Sequence, residues 1–169
     1  MNSDRTVVIA LGSNLGDSRQ ILADAIEQLR DFADGEFRAS LPWRTKPIDC
    51  PSDSPDFVNA VVVFEAKEHL NADSLLRELQ AMEDAAGRRP KEVLNEPRPL
   101  DLDIVAFGGE VRDAEELTIP HPRAHLRRFV LDPLAEVHPF YRAPNWGGCA
   151  RELAANLSPD DRPERLLWK

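Results

Sequence analysis

Two aspartates separated by a single residue are the chemically most informative feature of the sequence. Asp101 and Asp103 alternate with apolar residues in the segment PRPLDLDIVAF, residues 97–107. A β-strand has a side-chain period of two, so both carboxylates project from one face. Neighbouring carboxylates repel each other, and a hard cation such as Mg²⁺ removes that repulsion while it binds phosphate oxygens. The pair indicates a metal site for phosphate chemistry, or alternatively the solvated face of an edge strand.

Basic residues are concentrated next to this pair, although the chain is acidic overall. Arg98 lies three residues before Asp101, and residues 87–98 contain four cationic side chains within a dozen positions. A guanidinium is planar and permanently charged, so it binds phosphate well. The cluster is consistent with phosphate capture and equally with a solvated charged loop.

His121 is a further candidate for contact with phosphate. Prolines on both sides restrict its backbone, as a rigidly placed phosphate donor would require. Arg123, Arg127 and Arg128 follow it within seven positions. A lone histidine is more often structural, so this residue becomes informative only together with the other candidates.

Asn59 interrupts an otherwise apolar strand, FVNAVVVF, at residues 57–64. A buried asparagine must satisfy its donors and its acceptor, and a flat heterocycle with amide-like edges can do so. Phe57 and Phe129 can stack on the faces of such a ring, or they can simply belong to the core. The sequence therefore indicates a possible heterocycle site beside the phosphate site.

Hydrophobic periodicity predicts the elements that position these residues. Apolar runs predict strands at 6–11, 37–43, 57–64 and 97–107. Helical spacing predicts one helix from about residue 18 to Gly35, and a second from a cap at Asn71 or Asp73 to Gly87. The turn residues and helix-cap candidates of GSNLGD precede the first helix, at 12–17. This order predicts an α+β, ferredoxin-like βαββαβ core, an antiparallel sheet with both helices on one face.

The rest of the chain is expected to extend this core. A short strand is predicted near residues 110–113, and helices are predicted at 128–135 and 150–157. A length of 169 residues without a linker favours a single domain over residues 1–169.

Composition limits the partners and the compartment. A net charge of −9 argues against a nucleic-acid partner. No apolar run approaches a membrane span, and the N-terminus lacks a signal-peptide core. Cys50 and Cys149 are expected to be reduced thiols, although a disulfide between them remains open. We therefore expect a cytoplasmic protein.

Six motifs occur in a fixed order across about residues 7–137. They are IALGSNLGD at 9–17, PDFVNA at 55–60, GR at 87–88, PRPLDLDI at 97–104, IPHPR at 119–123 and RRFVLDPLAE at 127–136. In this set and order the chain resembles the 6-hydroxymethyl-7,8-dihydropterin pyrophosphokinase family of folate biosynthesis. The resemblance implies transfer of pyrophosphate from ATP to the pterin hydroxymethyl group, with AMP as the second product.

The resemblance also implies a role for individual residues. The expected ligands of two Mg²⁺ ions are Asp101 and Asp103. Positions that contact phosphate or stabilise the transferring group are Arg88, Arg98, His121 and Arg127, and those near the nucleotide are Gln80 and Glu83. The expected catalytic set is Arg88, Arg98, Asp101, Asp103 and His121. It implies that Asn59 hydrogen-bonds the polar edge of the pterin and that Phe57 and Phe129 stack on the faces of its ring. The residues implied to line the pterin pocket are Thr45, Pro47 and Ile48.

Some loop positions depart from the family pattern. These positions are Asp49, Ser54, Asn95, Glu96 and Pro99. The departures leave two alternatives open, a divergent relative with a different pterin substrate and a non-catalytic module that binds nucleotide or pterin. For the leading hypothesis we expect a monomer whose partners are ATP and the reduced hydroxymethylpterin.

Overall fold

The computed structural model describes residues 5–46, 55–87, 97–159 and 162–169. The strands are β1 (Thr6–Ser13), β2 (Ala33–Ala39), β3 (Trp43–Thr45), β4 (Phe57–Ala66), β5 (Asp101–Phe107), β6 (Arg112–Asp113), β7 (Thr118–Ile119) and β8 (Glu164–Arg165). The helices are α1 (Ser18–Leu29), α2 (Ala72–Ala85), α3 (Arg128–Val137) and α4 (Ala150–Asn156). None of the described helices is long and apolar enough to cross a membrane.

The main sheet confirms the predicted ferredoxin-like core. Its strands are ordered β5-β1-β4-β3-β8, with β2 also paired to β4, and every pairing is antiparallel. The fourth strand of the βαββαβ order therefore lies beside the first, as the split arrangement requires. Consequently β5, which carries the two aspartates, is an edge strand, and β1 and β4 lie in the middle of the sheet.

The second predicted strand is divided in two, and the predicted stop of the first helix is wrong. Helix α1 ends at Leu29, and a single 3-10 turn leads into β2 at Ala33. Gly35 lies inside β2 at a register shift, where its φ of +89° accommodates the extra residues of a bulge. Phe37 then stacks on Phe64 with ring centroids 5.6 Å apart, which explains why this polar segment pairs as a strand.

The sheet separates two apolar cores, because alternate residues of each strand point to opposite faces. On one face α1 and α2 pack over residues such as Ile9, Val62 and Ile104. On the opposite face α3 and α4 pack over Val8 and Val61, among others. The two helices of the predicted core thus share one face, and the C-terminal helices cover part of the other.

Helix ends follow local capping chemistry. Asp17 is the N-cap of α1, and its carboxylate accepts from the Gln20 N–H. Asn71, one of the two predicted caps, begins α2 in a reciprocal capping box with Ser74. Helix α2 ends at Ala85, shortly before Gly87 with its φ of +97°. In contrast, Gly12 and Ser13 extend β1 and do not form the predicted turn.

Candidate active site

The site lies where helices α3 and α4 leave the sheet uncovered. Beyond the valines that these helices cover, the same face presents Asp101 and Asp103 on β5 and Asn59 on β4. In the strand register Asp101 is paired with Gly12, which is paired on its other side with Asn59. One row of neighbouring positions thus joins the aspartate pair to the asparagine. The central position is a glycine, so no Cβ lies between the two ends.

The aspartates at the β5 end differ in their surroundings. Asp101 forms an ion pair with Arg98, with 2.8 Å between the carboxylate oxygen and the guanidinium nitrogen, and both side chains are mostly buried. Asp103 is exposed, two residues further along the same face. Arg98 therefore neutralises one carboxylate and leaves the other open to solvent, which relieves the repulsion expected between two adjacent aspartates.

His121 lies close enough to the pair to interact with it electrostatically. Its backbone N–H donates to the Val105 carbonyl at 2.8 Å, which fixes the preceding loop to β5. Burial lowers the pKa of His121 below its ordinary value of 6.5, the carboxylate of Asp103 opposes this shift, and the charges of Arg127 and Arg123 add to it. The imidazole is therefore neutral near neutral pH.

The backbone of Arg123 fixes which nitrogen of this imidazole carries the proton. The Arg123 N–H donates to Nδ1 of His121 at 3.1 Å, so Nδ1 is the acceptor of the neutral ring. The proton is then on Nε2, which becomes a donor for an anionic ligand. The backbone of the loop that carries His121 thus leaves the Nε2 proton available to an acceptor.

Arg127 adds a permanent positive charge to this end of the site. Burial lowers its pKa below the ordinary arginine value, the charge of Asp103 opposes this shift and that of Arg123 adds to it, yet the guanidinium stays protonated near neutral pH. Its guanidinium carbon lies 5.3 Å from the centre of the Phe129 ring. Phe129 itself packs against the core beneath α3. The cation–π contact therefore holds Arg127 beside the loop of His121.

Glu83 of α2 reaches the same strand from its outer edge. Its carboxylate accepts from the Leu102 backbone N–H at 2.8 Å, between the two aspartates. Gln80, one turn earlier on α2, is exposed. The structure thus assigns Glu83 a contact with β5 itself, and Gln80 is the more open of the two predicted helix positions.

The β4 end of the row is neutral and more buried. Asn59 is 4% exposed, and its Nδ2 donates to the Thr45 hydroxyl at 2.9 Å and to the Trp43 carbonyl at 3.4 Å. Its Oδ1 lies 3.3 Å from the position that a Cβ on Gly12 would occupy. Phe57 lies 3.8 Å from the same position. The asparagine amide is therefore already oriented by the protein, with its donors engaged and its carbonyl toward the middle of the row.

Two residues that the sequence presented only as turn residues take part in the site. Gly12 forms the floor between its two ends, and its missing Cβ keeps the row open. Asn14 is 2% exposed and forms two hydrogen bonds with the backbone of Arg98. The Asn14 Oδ1 accepts from the Arg98 N–H at 2.8 Å, and the Asn14 N–H donates to the Arg98 carbonyl at 3.0 Å. Its Nδ2 also donates to the Pro55 carbonyl at 3.4 Å. The signal that could have identified Asn14 is a polar residue directly after a strand, where a buried asparagine must find partners.

Several predicted positions lie outside the described residues. They are Arg88, Pro47 and Ile48, together with the departures Asp49, Ser54, Asn95 and Glu96. Apart from Gln80 and Glu83 on α2, the described predicted residues form two groups on one sheet face. The charged group contains Arg98, Asp101, Asp103, His121 and Arg127, and the neutral group contains Thr45, Phe57 and Asn59, with Phe129 beside Arg127.

The donor set suits a shared metal site better than a closed one. Within residues 5–46, 55–87, 97–159 and 162–169 no three His, Cys, Asp or Glu side chains cluster to hold a metal. Mg²⁺ typically takes one or two carboxylates and completes its shell with water and substrate phosphate oxygens. An aspartate pair with one exposed carboxylate, next to arginines, fits that mode of binding.

The family model for 7,8-dihydro-6-hydroxymethylpterin-pyrophosphokinase (HPPK) matches residues 8–139. The chain belongs to this family. The HPPK of Bacillus subtilis is 41% identical over 130 residues, covering 76% of this chain and 75% of that protein. The HPPK of Pseudomonas aeruginosa is 36% identical over 160 residues, covering 95% and 96%.

Other relatives are much longer than this HPPK chain. The folic acid synthesis protein fol1 of Pneumocystis carinii is 39% identical over 134 residues, yet the match spans only 18% of that protein. The Plasmodium falciparum HPPK-DHPS structure with pteroate matches with a TM-score of 0.66 at 14% identity, over 95% of this chain and 49% of that one. At this identity the structural match shows the shared fold alone.

Proposed function

We propose that this protein transfers the pyrophosphoryl group of ATP to the hydroxymethyl group of 6-hydroxymethyl-7,8-dihydropterin, giving AMP and the pterin diphosphate. The observation that carries the proposal is the row of Asp101, Gly12 and Asn59 across three strands. The row brings a charged end directly beside a neutral end, and we propose that the first binds phosphate and the second a heterocycle. Membership of the HPPK family, and the near-complete match to the Pseudomonas aeruginosa enzyme, support the same reaction.

The charged end supplies phosphate contacts and charge neutralisation. Transfer of this kind depends mainly on alignment and on stabilising negative charge, so no covalent nucleophile is needed. Arg127 contributes a fixed positive charge, and His121 offers the Nε2 proton to a phosphate oxygen. Arg98 neutralises the charge of Asp101 in the free protein and can form an ion pair with phosphate once ATP binds. Arg88 is proposed to act with them, from the part of the chain outside the described residues.

Asp101 and Asp103 are proposed to hold two Mg²⁺ ions on the phosphates of ATP. Such ions neutralise the charge that develops on the transferring group. The exposed carboxylate of Asp103 offers open coordination, and the 2.8 Å contact with Arg98 keeps Asp101 oriented. Glu83 supports this arrangement through Leu102, and Gln80 is proposed to lie near the nucleotide.

The neutral end is proposed to bind the pterin. With its Nδ2 engaged by Thr45 and Trp43, Asn59 can present its carbonyl oxygen to the N–H groups of the ring. Phe57 and Phe129 are proposed to stack on the two faces of the ring, and Pro47 and Ile48 to line the pocket. Fixing the amide before binding avoids an ordering cost when the substrate arrives.

An assay for AMP formed from ATP, the reduced hydroxymethylpterin and Mg²⁺ tests the proposal, with Asp101→Ala as the companion variant. We expect AMP from the wild type and little from the variant. If a folded wild type binds ATP and pterin without forming AMP, the non-catalytic module replaces the enzyme. AMP formed only with another pterin would indicate the divergent relative. We also propose that the protein is cytoplasmic, has a single domain and is a monomer. Light scattering at several concentrations tests the monomeric state.

A further inference from the structure

Glu136, the last residue of the RRFVLDPLAE motif, has no place in the site described above. It lies in the last turn of α3. Its carboxylate accepts one hydrogen bond from the break between β2 and β3, residues 40–42, and one from the first residue of β3. One comes from the Leu41 backbone N–H at 2.9 Å, and the other from the Trp43 indole Nε1 at 3.0 Å. Each carboxylate oxygen serves one donor. Glu136 thus binds a backbone amide of the break and the first side chain of β3.

The break needs such support because the chain leaves the ladder of β4 there. Ser40 makes the last regular contacts, its N–H donating to the Val61 carbonyl and its hydroxyl accepting from the Val61 N–H. Pro42 has no N–H, and its carbonyl accepts from Leu166. Glu136 provides the partner for Leu41, the remaining amide between them. The two bonds fix where β3 begins.

The start of β3 determines how Asn59 is held. Trp43 is paired with Asn59 in the strand register, and its carbonyl accepts from Asn59 Nδ2. Thr45, two residues further on the same strand, supplies the hydroxyl that accepts the second bond. A shift of β3 by a fraction of an ångström would therefore turn the amide that faces the middle of the row.

We propose that Glu136 is a positioning residue for the pterin, acting through Trp43 and Thr45 on the orientation of Asn59. The inference rests on the proposed function, since it assumes that the neutral end binds the pterin. Arg165 of β8 lies over the Trp43 ring, 5.9 Å from its centre, so the indole is confined between a cation and the carboxylate. Among the described residues, Glu136 makes its hydrogen bonds to Leu41 and Trp43 and not to the charged end, so we expect the effect to be confined to one substrate.

Two variants that break neighbouring contacts of α3 test this inference. Glu136→Ala removes both bonds to the break. Arg38→Met is the matched control, because Arg38 Nη1 donates to the Val137 carbonyl at 3.0 Å and joins the same helix end to β2, before the break. The dissociation constants of the reduced pterin and of a non-hydrolysable ATP analogue with Mg²⁺ are measured by calorimetry, and the KM of each substrate is measured by AMP release.

We expect Glu136→Ala to weaken pterin binding by about tenfold, as loss of an orienting contact typically does, and to leave nucleotide binding within about twofold. Arg38→Met is expected to leave both constants near wild type. Glu136→Gln keeps one acceptor oxygen but faces the second donor with an NH₂ group, so its pterin constant should fall between wild type and Glu136→Ala. If Glu136→Ala does not fold, Glu136→Gln still tests the inference by itself.

The inference is overturned if the Glu136 variants leave the pterin constant unchanged, if they weaken both substrates equally, or if Arg38→Met matches them. Trp43→Phe in the Glu136→Ala background adds a second check, because both changes remove the bond between Trp43 and Glu136 and their effects should be less than additive. Failure of the proposed function gives a different result, since a wild type that forms no AMP can still show the split between pterin and nucleotide binding.

Discussion

The two ends of the uncovered sheet surface are held in opposite ways. At the β5 end, charged side chains are balanced against one another: Arg98 against Asp101, and Asp103 against the positive field around His121. At the β4 end, Asn59 is 4% exposed and its amide donors are bound by the neighbouring strand. The charged end is the more exposed of the two and rests on edge strand β5, whereas the neutral end lies in the middle of the sheet.

This difference fits the ligands that we propose for each end. Phosphates and metal ions bring their own charge and water, so the charged end has to stay open and keep its partners exchangeable. A flat heterocycle presents a fixed pattern of donors and acceptors, so the neutral end benefits from groups that are oriented in advance. Perturbing one end should therefore change one substrate's constants and spare those of the other.

Asp103→Asn is expected to have the largest effect, because it removes a ligand charge from the open end. AMP formation should fall by about 10³-fold, comparable to the loss of a main group that stabilises transition-state charge. Pterin binding measured without nucleotide should remain within about twofold, since Asp103 lies on β5 and the described residues of the neutral end lie on β3 and β4. Asp113→Asn, an exposed aspartate on β6, is the control and should leave activity unchanged. An Asp103→Asn enzyme with near-normal turnover would refute the metal assignment.

Asn59→Ala is the corresponding change at the neutral end. It removes the carbonyl that faces the ring and leaves the Thr45 hydroxyl without its donor, so pterin affinity should fall by about 100-fold. The KM for ATP should stay near wild type, because the charged end is intact. Steady-state kinetics with each substrate varied in turn separates the two constants. Equal losses for both substrates would show that the ends are not independent.

Gly12→Ala tests the junction between the ends and should have a moderate effect. The new Cβ would lie 3.3 Å from Asn59 Oδ1 but 4.0 Å from Asp101 Cβ, so the asparagine has to move and the aspartate does not. We expect pterin affinity to fall by about tenfold, roughly the cost of one weakened hydrogen bond. Competitive binding titrations provide the measurement. A larger effect on nucleotide than on pterin would contradict the geometry of the row.

The smallest expected effect is on stability, and it concerns His121 alone. Burial lowers the pKa of this histidine from 6.5, so the unfolded chain binds more protons than the folded one as pH falls below that value. Stability should therefore be highest above the unfolded pKa and should decrease as pH falls toward the folded pKa. Thermal unfolding of His121→Gln in metal-free buffer should show a weaker decrease.

His69→Gln, which changes an exposed histidine in the turn before α2, is the control for this comparison. Its stability should depend on pH as the wild type does. If both variants gave the wild-type dependence, burial of His121 would not contribute measurably to folding.

The features predicted from sequence are those set by local periodicity. The alternation in residues 97–107 predicts that Leu102 and Ile104 are buried and that the aspartates share a face, and both hold in the structure. The described residues that the resemblance to HPPK singled out lie on one surface, apart from Gln80 and Glu83 on α2, and their roles stay predictions. The break between β2 and β3 was not predictable in the same way, because it depends on Ser40 and Glu136, whose partners are 21 and 95 residues away. The prediction that Gly35 ends the first helix was wrong for a related reason. A glycine shortly after a helical segment is compatible both with a helix C-cap and with a β-bulge.

The bond from Glu83 to Leu102 has a consequence for how the protein behaves in concentrated solution. An edge strand with free backbone amides is a template on which another chain can add a strand. Here β5 is an edge, and the exposed carboxylate of Asp103 that it carries belongs to the candidate site. A helix side chain occupies the amide at the middle of that edge, and charged residues flank it. The strand can therefore stay accessible to small ligands while it discourages the sheet from growing into an intermolecular β-structure.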